Sequence, residues 1–270
     1  MILDLSVYVA VQTYVNAVDT ELPGLIQGLY LVGSVALHDF HPGASDIDFV
    51  AVSSAPPDDR ELRILERVHA HVADAYPRPY FDGSYVTWDQ LAADPLQAAP
   101  GPHVHKRKFS RASRGGRHPV TWHTLADHGF ALRGPLPGDM TVHTDRSNLT
   151  TWTHGNLADY WRPWWRRASR LPSPLGLACL GSWGPAWGVL GVSRLHYTLT
   201  TGRITSKRGA GEYALTRFDD QWHRIVEECL RVRCGAAEKS LYRTPFERRS
   251  QALAFIDMAI SDAQQNAHDS

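Results

Sequence analysis

Short apolar runs separated by polar breaks govern the first half of the chain, whereas longer stretches with helical spacing fill the second. Residues 29–32 (LYLV) and 49–52 (FVAV) are each too short for a helix and carry β-branched and aromatic side chains. A polar segment with Pro42 and Gly43 separates them, so they predict two strands joined by a loop. Upstream, residues 3–19 mix apolar and small polar residues and predict a helix on the coming sheet, broken at Pro23-Gly24. Pro56-Pro57-Asp58-Asp59 ends the second strand and opens a helix, its acids suited to the positive end of the helix dipole. Leu62, Leu65, Val68, His69 and Val72 then recur at helical spacing until Pro77 and Pro79. Residues 80–87 read as a third strand, and Trp88-Asp89-Gln90-Leu91 as a helix start with Asp89 as its cap.

Residues 95–126 contain no Asp or Glu, and their basic run from His103 to His118 reads as a solvated loop more readily than as a binding element. Residues 120–128 suit a helix, and the Gly/Pro cluster at 134–138 closes a first domain, with a boundary near residue 145. Beyond it the pattern is helical: 149–170 with Pro163 as a kink or division, then a Pro/Gly-rich stretch 172–184. Helices follow at 189–200, 210–216, 219–233 and 245–266, predicting a bundle of four or five helices. In the last of these, Ala252, Phe255, Ile256, Ala259 and Ile260 form one apolar stripe, most simply core.

Composition narrows the class. At 270 residues the chain suits two domains, 1–145 and 146–270, each able to bury a core. Basic and acidic residues balance at 28 each, so overall charge names no partner. Three cysteines, Cys179, Cys229 and Cys234, show neither a disulfide framework nor paired metal-ligand spacing, which fits a reducing compartment. No stretch approaches the length of a membrane span. A cytoplasmic monomer is expected.

The candidate chemistry gathers around the first two strands. Along an extended chain Asp46 and Asp48 project to one side while Ile47 points to the core. Adjacent carboxylates repel unless a cation lies between them, and hard cations such as Mg²⁺ favour oxygen donors. Gly33 permits close approach of backbone to a ligand, and Ser34 adds a hydroxyl. An isolated Asp-x-Asp is usually solvated surface; strand, Gly-Ser, loop, Asp-x-Asp and strand in succession is far more specific. Asp82 heads the next strand, where it supplies a third carboxylate as metal ligand or proton acceptor.

That succession resembles the signature of the DNA polymerase β-like nucleotidyltransferases. Over nearly its whole length the chain is similar to the streptomycin/spectinomycin adenylyltransferases. The resemblance implies an α+β protein: an N-terminal nucleotidyltransferase domain with a mixed sheet and helices, then an all-α domain. It implies Gly33, Ser34 and Ser45 at the nucleotide, Asp46 and Asp48 holding two Mg²⁺, and ATP as co-substrate. Asp82 stands where the family carries a catalytic glutamate, one methylene shorter, so that its reach must be regained by the backbone or a water. The segment Ser193-Arg194-Leu195-His196-Tyr197 with Thr201-Gly202-Arg203-Ile204-Thr205-Ser206-Lys207 resembles the family motif whose Arg and Lys, here Arg194 and Lys207, bind phosphates.

The implied activity is transfer of AMP from ATP to a hydroxyl of a small acceptor, of aminoglycoside or aminocyclitol type. One departure bears on that acceptor: from Tyr160 to Gly211 there is no acidic residue to receive a polycation. Trp183 and Trp187, with His103 and His105, are the candidate acceptor contacts, although core packing is the simpler reading for most of the tryptophans. Two alternatives remain. One is adenylylation of a neutral or anionic metabolite. The other is a non-catalytic nucleic-acid-binding module using the basic segments 103–118 and 162–170, against which three clustered aspartates argue.

Overall fold

The computed structural model describes residues 3–237 and 239–265. The chain divides into two compact units, Met1–Asp145 and Arg146–Ser270.

The first unit is built on a six-stranded mixed sheet in the order β5-β4-β3-β2-β1-β6. The strands are β1 (Gly28–Val32), β2 (Ile47–Ser53), β3 (Phe81–Thr87), β4 (Gly101–His105), β5 (Lys108–Ser113) and β6 (Phe130–Arg133). The helices are α1 (Leu5–Glu21), α2 (Gly33–Ala36), α3 (Asp59–Ala75), α4 (Trp88–Ala92) and α5 (Pro119–His128). β1 and β2 pair antiparallel with Val32 opposite Asp48, and β2 and β3 pair parallel with Asp48 beside Asp82. Alternation along the strands sorts the side chains into two layers. Leu29, Leu31, Ile47, Phe49 and Tyr85 meet α1 and α3 through Val11, Tyr14, Leu65 and Val68 on one face. Tyr30, Val32, Val50, Val52 and Val86 meet Leu91, Trp122 and Leu125 on the other. Asp48 and Asp82 share this second face, at the end of the strands where the apolar layer stops.

Local chemistry explains most element ends. Asp58 caps α3 and Glu61 returns to its N–H, a capping box that two acids three residues apart provide. At α4 the cap is Thr87, reciprocated by Gln90, and Asp89 lies in the first turn instead; Thr87 ends the strand in the extended conformation an N-cap needs.

The basic segment departs from expectation. It is not a loop but the hairpin β4–β5, which extends the sheet beyond β3. Its ion pairs Arg107–Asp74 and Arg111–Glu66 tie it to α3. The edge strand β6, four half-buried residues long, was absent from the predicted elements.

The second unit is all helical: α6 (Arg146–Asn156), α7 (Arg162–Ser169), α8 (Pro174–Ala178), α9 (Trp183–Thr201), α10 (Lys207–Arg217), α11 (His223–Arg233) and α12 (Pro245–Gln265). The helix expected over 149–170, with Pro163 as its kink or division, is interrupted just before that proline by a π-type turn, Leu157–Trp161, and Pro163 falls in the first turn of α7. α9 starts at Trp183, six residues before the predicted 189, and packs against α6, α10, α11 and α12. Its Gly191 faces the Trp161 ring, which a Cβ would overlap. The α12 stripe is buried as expected, with Phe255, Ile256 and Ile260 in the core beside Trp161 and Trp164. Asn266, the expected end of that helix, lies outside the described residues.

Candidate active site

β1 delivers Val32 to the sheet end, and the chain turns sharply there because Gly33 adopts φ +58, a conformation that other L-residues take only at a cost. A Cβ on Gly33 would overlap Oδ2 of Asp48, so the absence of a side chain lets the Asp48 carboxylate lie against the backbone. Ser34 Oγ donates to the carbonyl of Asp46 at 3.4 Å and ties the turn to the start of β2. Ser45 is buried and braces the loop, accepting from His41 N–H at 3.0 Å. Gly33, Ser34, Asp46 and Asp48 are therefore brought together by the antiparallel β1–β2 pair, and the parallel register adds Asp82.

The carboxylates are not equivalent. Asp46 is partly exposed and its Oδ1 stands 3.6 Å from Arg78, whose guanidinium stacks on Tyr80 at 3.7 Å. Asp82 is buried. Lys106 N–H reaches both of its oxygens, at 2.9 and 3.1 Å, and His105 Nδ1 stands 3.0 Å from Oδ2. Burial raises the Asp82 pKa above the usual aspartate value; the Lys106 N–H and His105 oppose that rise, and nearby Asp46 adds to it.

The expectation that three carboxylates would close on one point is corrected here. Among the described residues no three His, Cys, Asp or Glu side chains form a metal-sized cluster. Asp82 turns to the hairpin and Asp46 to Arg78. Asp46 and Asp48 retain the chemistry a divalent cation needs, two hard oxygen donors two residues apart beside a Cβ-free backbone. Asp82 does not fit as a third ligand.

The remaining predicted residues are dispersed. His105 contacts Asp82, while His103 is half-buried, stacks on His105 at 6.3 Å and packs on Gly115. Burial, with His105 and Arg117 adding positive charge, lowers the His103 pKa to about 4. In the second unit Arg194 is half-buried on α9, and Lys207 opens α10 with its Nζ 4.5 Å above the Trp187 ring. Trp183 stacks on Trp187 at 5.3 Å and is 62 % exposed, so it is not a core residue. Arg78 and the Lys106 amide were missed. Arg78 sits between two prolines that read only as punctuation, and no side-chain pattern announces a backbone donor.

Sheet, glycine turn and paired aspartates define a nucleotidyltransferase, and a family model described as nucleotidyltransferase domain matches residues 11–85. A second, described as aminoglycoside adenylyltransferase, C-terminal domain, matches residues 175–258. With one match on each unit, the chain resembles the aminoglycoside adenylyltransferases. Its fold is similar to that of spectinomycin adenyltransferase AAD(9) from Enterococcus faecialis, solved with ATP and spectinomycin. The TM-score is 0.65 at 12 % identity, covering 93 % of this chain and 99 % of the other. No curated protein matches the sequence. No described helix is long and apolar enough to cross a membrane.

Proposed function

We propose that this nucleotidyltransferase moves AMP from ATP to a hydroxyl of a small, antibiotic-like acceptor. The observation that carries the proposal is the registered end of β1, β2 and β3, where Asp48 lies beside Asp82 and opposite Val32, against the Gly33 turn. Asp46 and Asp48 would hold Mg²⁺, which supplies charge neutralisation at the phosphates when bound. Gly33 and Ser34 offer a turn open to phosphate oxygens; in the second unit, Arg194 and Lys207 are the guanidinium and ammonium groups whose chemistry suits phosphate. Asp82, held by the Lys106 N–H and beside His105, lies where the acceptor proton would leave.

Incubation with ATP, Mg²⁺ and a panel of hydroxylated antibiotics tests this, reading product mass and pyrophosphate release. Asp48→Asn should lower turnover by 10²-fold or more, the order lost with one electrostatic group, with the circular-dichroism melt unchanged. Turnover at the unsubstituted rate would remove the metal-binding role.

A second acceptor class is favoured by one observation. No acid lies between Tyr160 and Gly211, and the exposed Trp183 plane is flanked by Lys207 through Trp187. A neutral or anionic hydroxyl compound therefore belongs on the same panel.

A further inference from the structure

The acceptor proton must reach a base, and the geometry around Asp82 is poorly arranged for Asp82 to take it unaided. Its side chain is only 8 % exposed, and both oxygens are engaged by the hairpin. His105, by contrast, is 62 % exposed on its side chain. Its Nδ1 faces the carboxylate, and its Nε2 carries no hydrogen bond among the described residues. A carboxylate behind Nδ1 selects the tautomer with the proton on Nδ1 and leaves a lone pair on Nε2, pointing away from the carboxylate.

The turn that presents this imidazole is strained. Lys106 and Arg107 occupy the two central positions between β4 and β5 at φ 47 and 70, where Asn-Gly is the unstrained choice. Strain of this kind persists where surrounding structure over-determines it, and functional sites are where it collects. Here the surrounding bonds are Lys106 N–H to Asp82 and Arg107 to Asp74. His103 stacks behind His105, and burial keeps it neutral, so it adds no repulsion to a charged His105.

We propose that His105, oriented by Asp82, is the general base for nucleotidyl transfer in this chain. The proposal rests on the nucleotidyl-transfer reading above. The acceptor O–H gives its proton to Nε2 as its oxygen forms a bond to the α-phosphorus. The bond from that phosphorus to the bridging oxygen breaks, and its electron pair leaves on pyrophosphate. Asp82 stabilises the imidazolium, which returns its proton to solvent after product leaves. The imidazole spans the reach that an aspartate side chain lacks.

Two measurements test the pair. In the first, diethyl pyrocarbonate labels the protein without any acceptor, and peptide mass spectrometry follows each histidine. His105 should react several-fold faster in the unsubstituted protein than in Asp82→Asn, with exposed His71 equal in both; equal rates at His105 would overturn the orientation by Asp82. In the second, pyrophosphate release from ATP with Mg²⁺ and spectinomycin is compared across variants. His105→Ala should lower kcat by about 10²-fold or more with KM for ATP little changed, and added imidazole should restore part of it. Wild-type turnover in His105→Gln, or no rescue of His105→Ala, would overturn the base. If the unsubstituted protein itself releases no pyrophosphate, the transfer reading fails with that acceptor, while the labelling still decides the pair.

Discussion

At the level of single residues, the site depends on what is missing as much as on what is present. Gly33 has a left-handed backbone and leaves Asp48 the space a methyl would take. Gly33→Ala adds strain of about 1–2 kcal/mol and pushes the Asp48 carboxylate aside. Divalent-ion binding, read by calorimetry, should weaken roughly tenfold, the equivalent of about 1.4 kcal/mol, with a smaller change in thermal stability. Unaltered ion binding in that variant would show that Asp48 does not use the space. Asp82, drawn into the end of the sheet, has a backbone N–H and an imidazole as its partners.

Elements carry the polar groups that the core must accommodate. Beneath β3, Tyr14, Tyr85 and His69 form a buried chain: the two hydroxyls are 2.8 Å apart, and Tyr85 Oη lies 2.7 Å from His69 Nε2. Burial pushes the His69 pKa down to about 3 and raises both tyrosines. The unfolded chain therefore takes a proton on His69 below about pH 6.5, whereas the folded chain refuses it until near pH 3. His69 contributes fully above the upper value. As pH falls between the two, the first unit should lose up to about 1.4 kcal/mol per pH unit on this account. Denaturant melts between pH 7 and pH 4 should show that slope, and His69→Gln should flatten it from a lower starting stability. An identical slope in the variant would assign the acid sensitivity to other groups. The elements that eluded the sequence have physical reasons. The hairpin β4–β5 has neither alternating apolar residues nor a Gly in its turn, and the ion pairs that link it to α3 reach partners more than 30 residues away. β6 is too short to show a period.

For the molecule as a whole, zero net charge conceals an uneven distribution, with 52 residues from Tyr160 to Gly211 free of acids. Steering of a cationic acceptor requires a negative field, which this stretch does not supply. KM for streptomycin, which carries guanidinium groups, should therefore stay level or fall as ionic strength rises from low to physiological. A several-fold rise would reveal acidic attraction elsewhere. The exposed Trp183–Trp187 stack offers a planar contact that salt does not screen.

Periodicity, punctuation and the Gly-Ser and Asp-x-Asp spacings by themselves determined the longer helices, though not all their ends, the first three strands and the identity of the acids at the sheet end. These signals are local: a side-chain period or a turn preference is set by neighbours within a few residues. Tertiary structure alone decided that β3 runs parallel to β2, which puts Asp82 beside Asp48, and that a basic segment folds back to engage Asp82. Those outcomes depend on pairing between residues 24 to 34 positions apart, Asp48 with Asp82 and Asp82 with Lys106. No window of sequence contains the energy of a contact whose partner lies outside it.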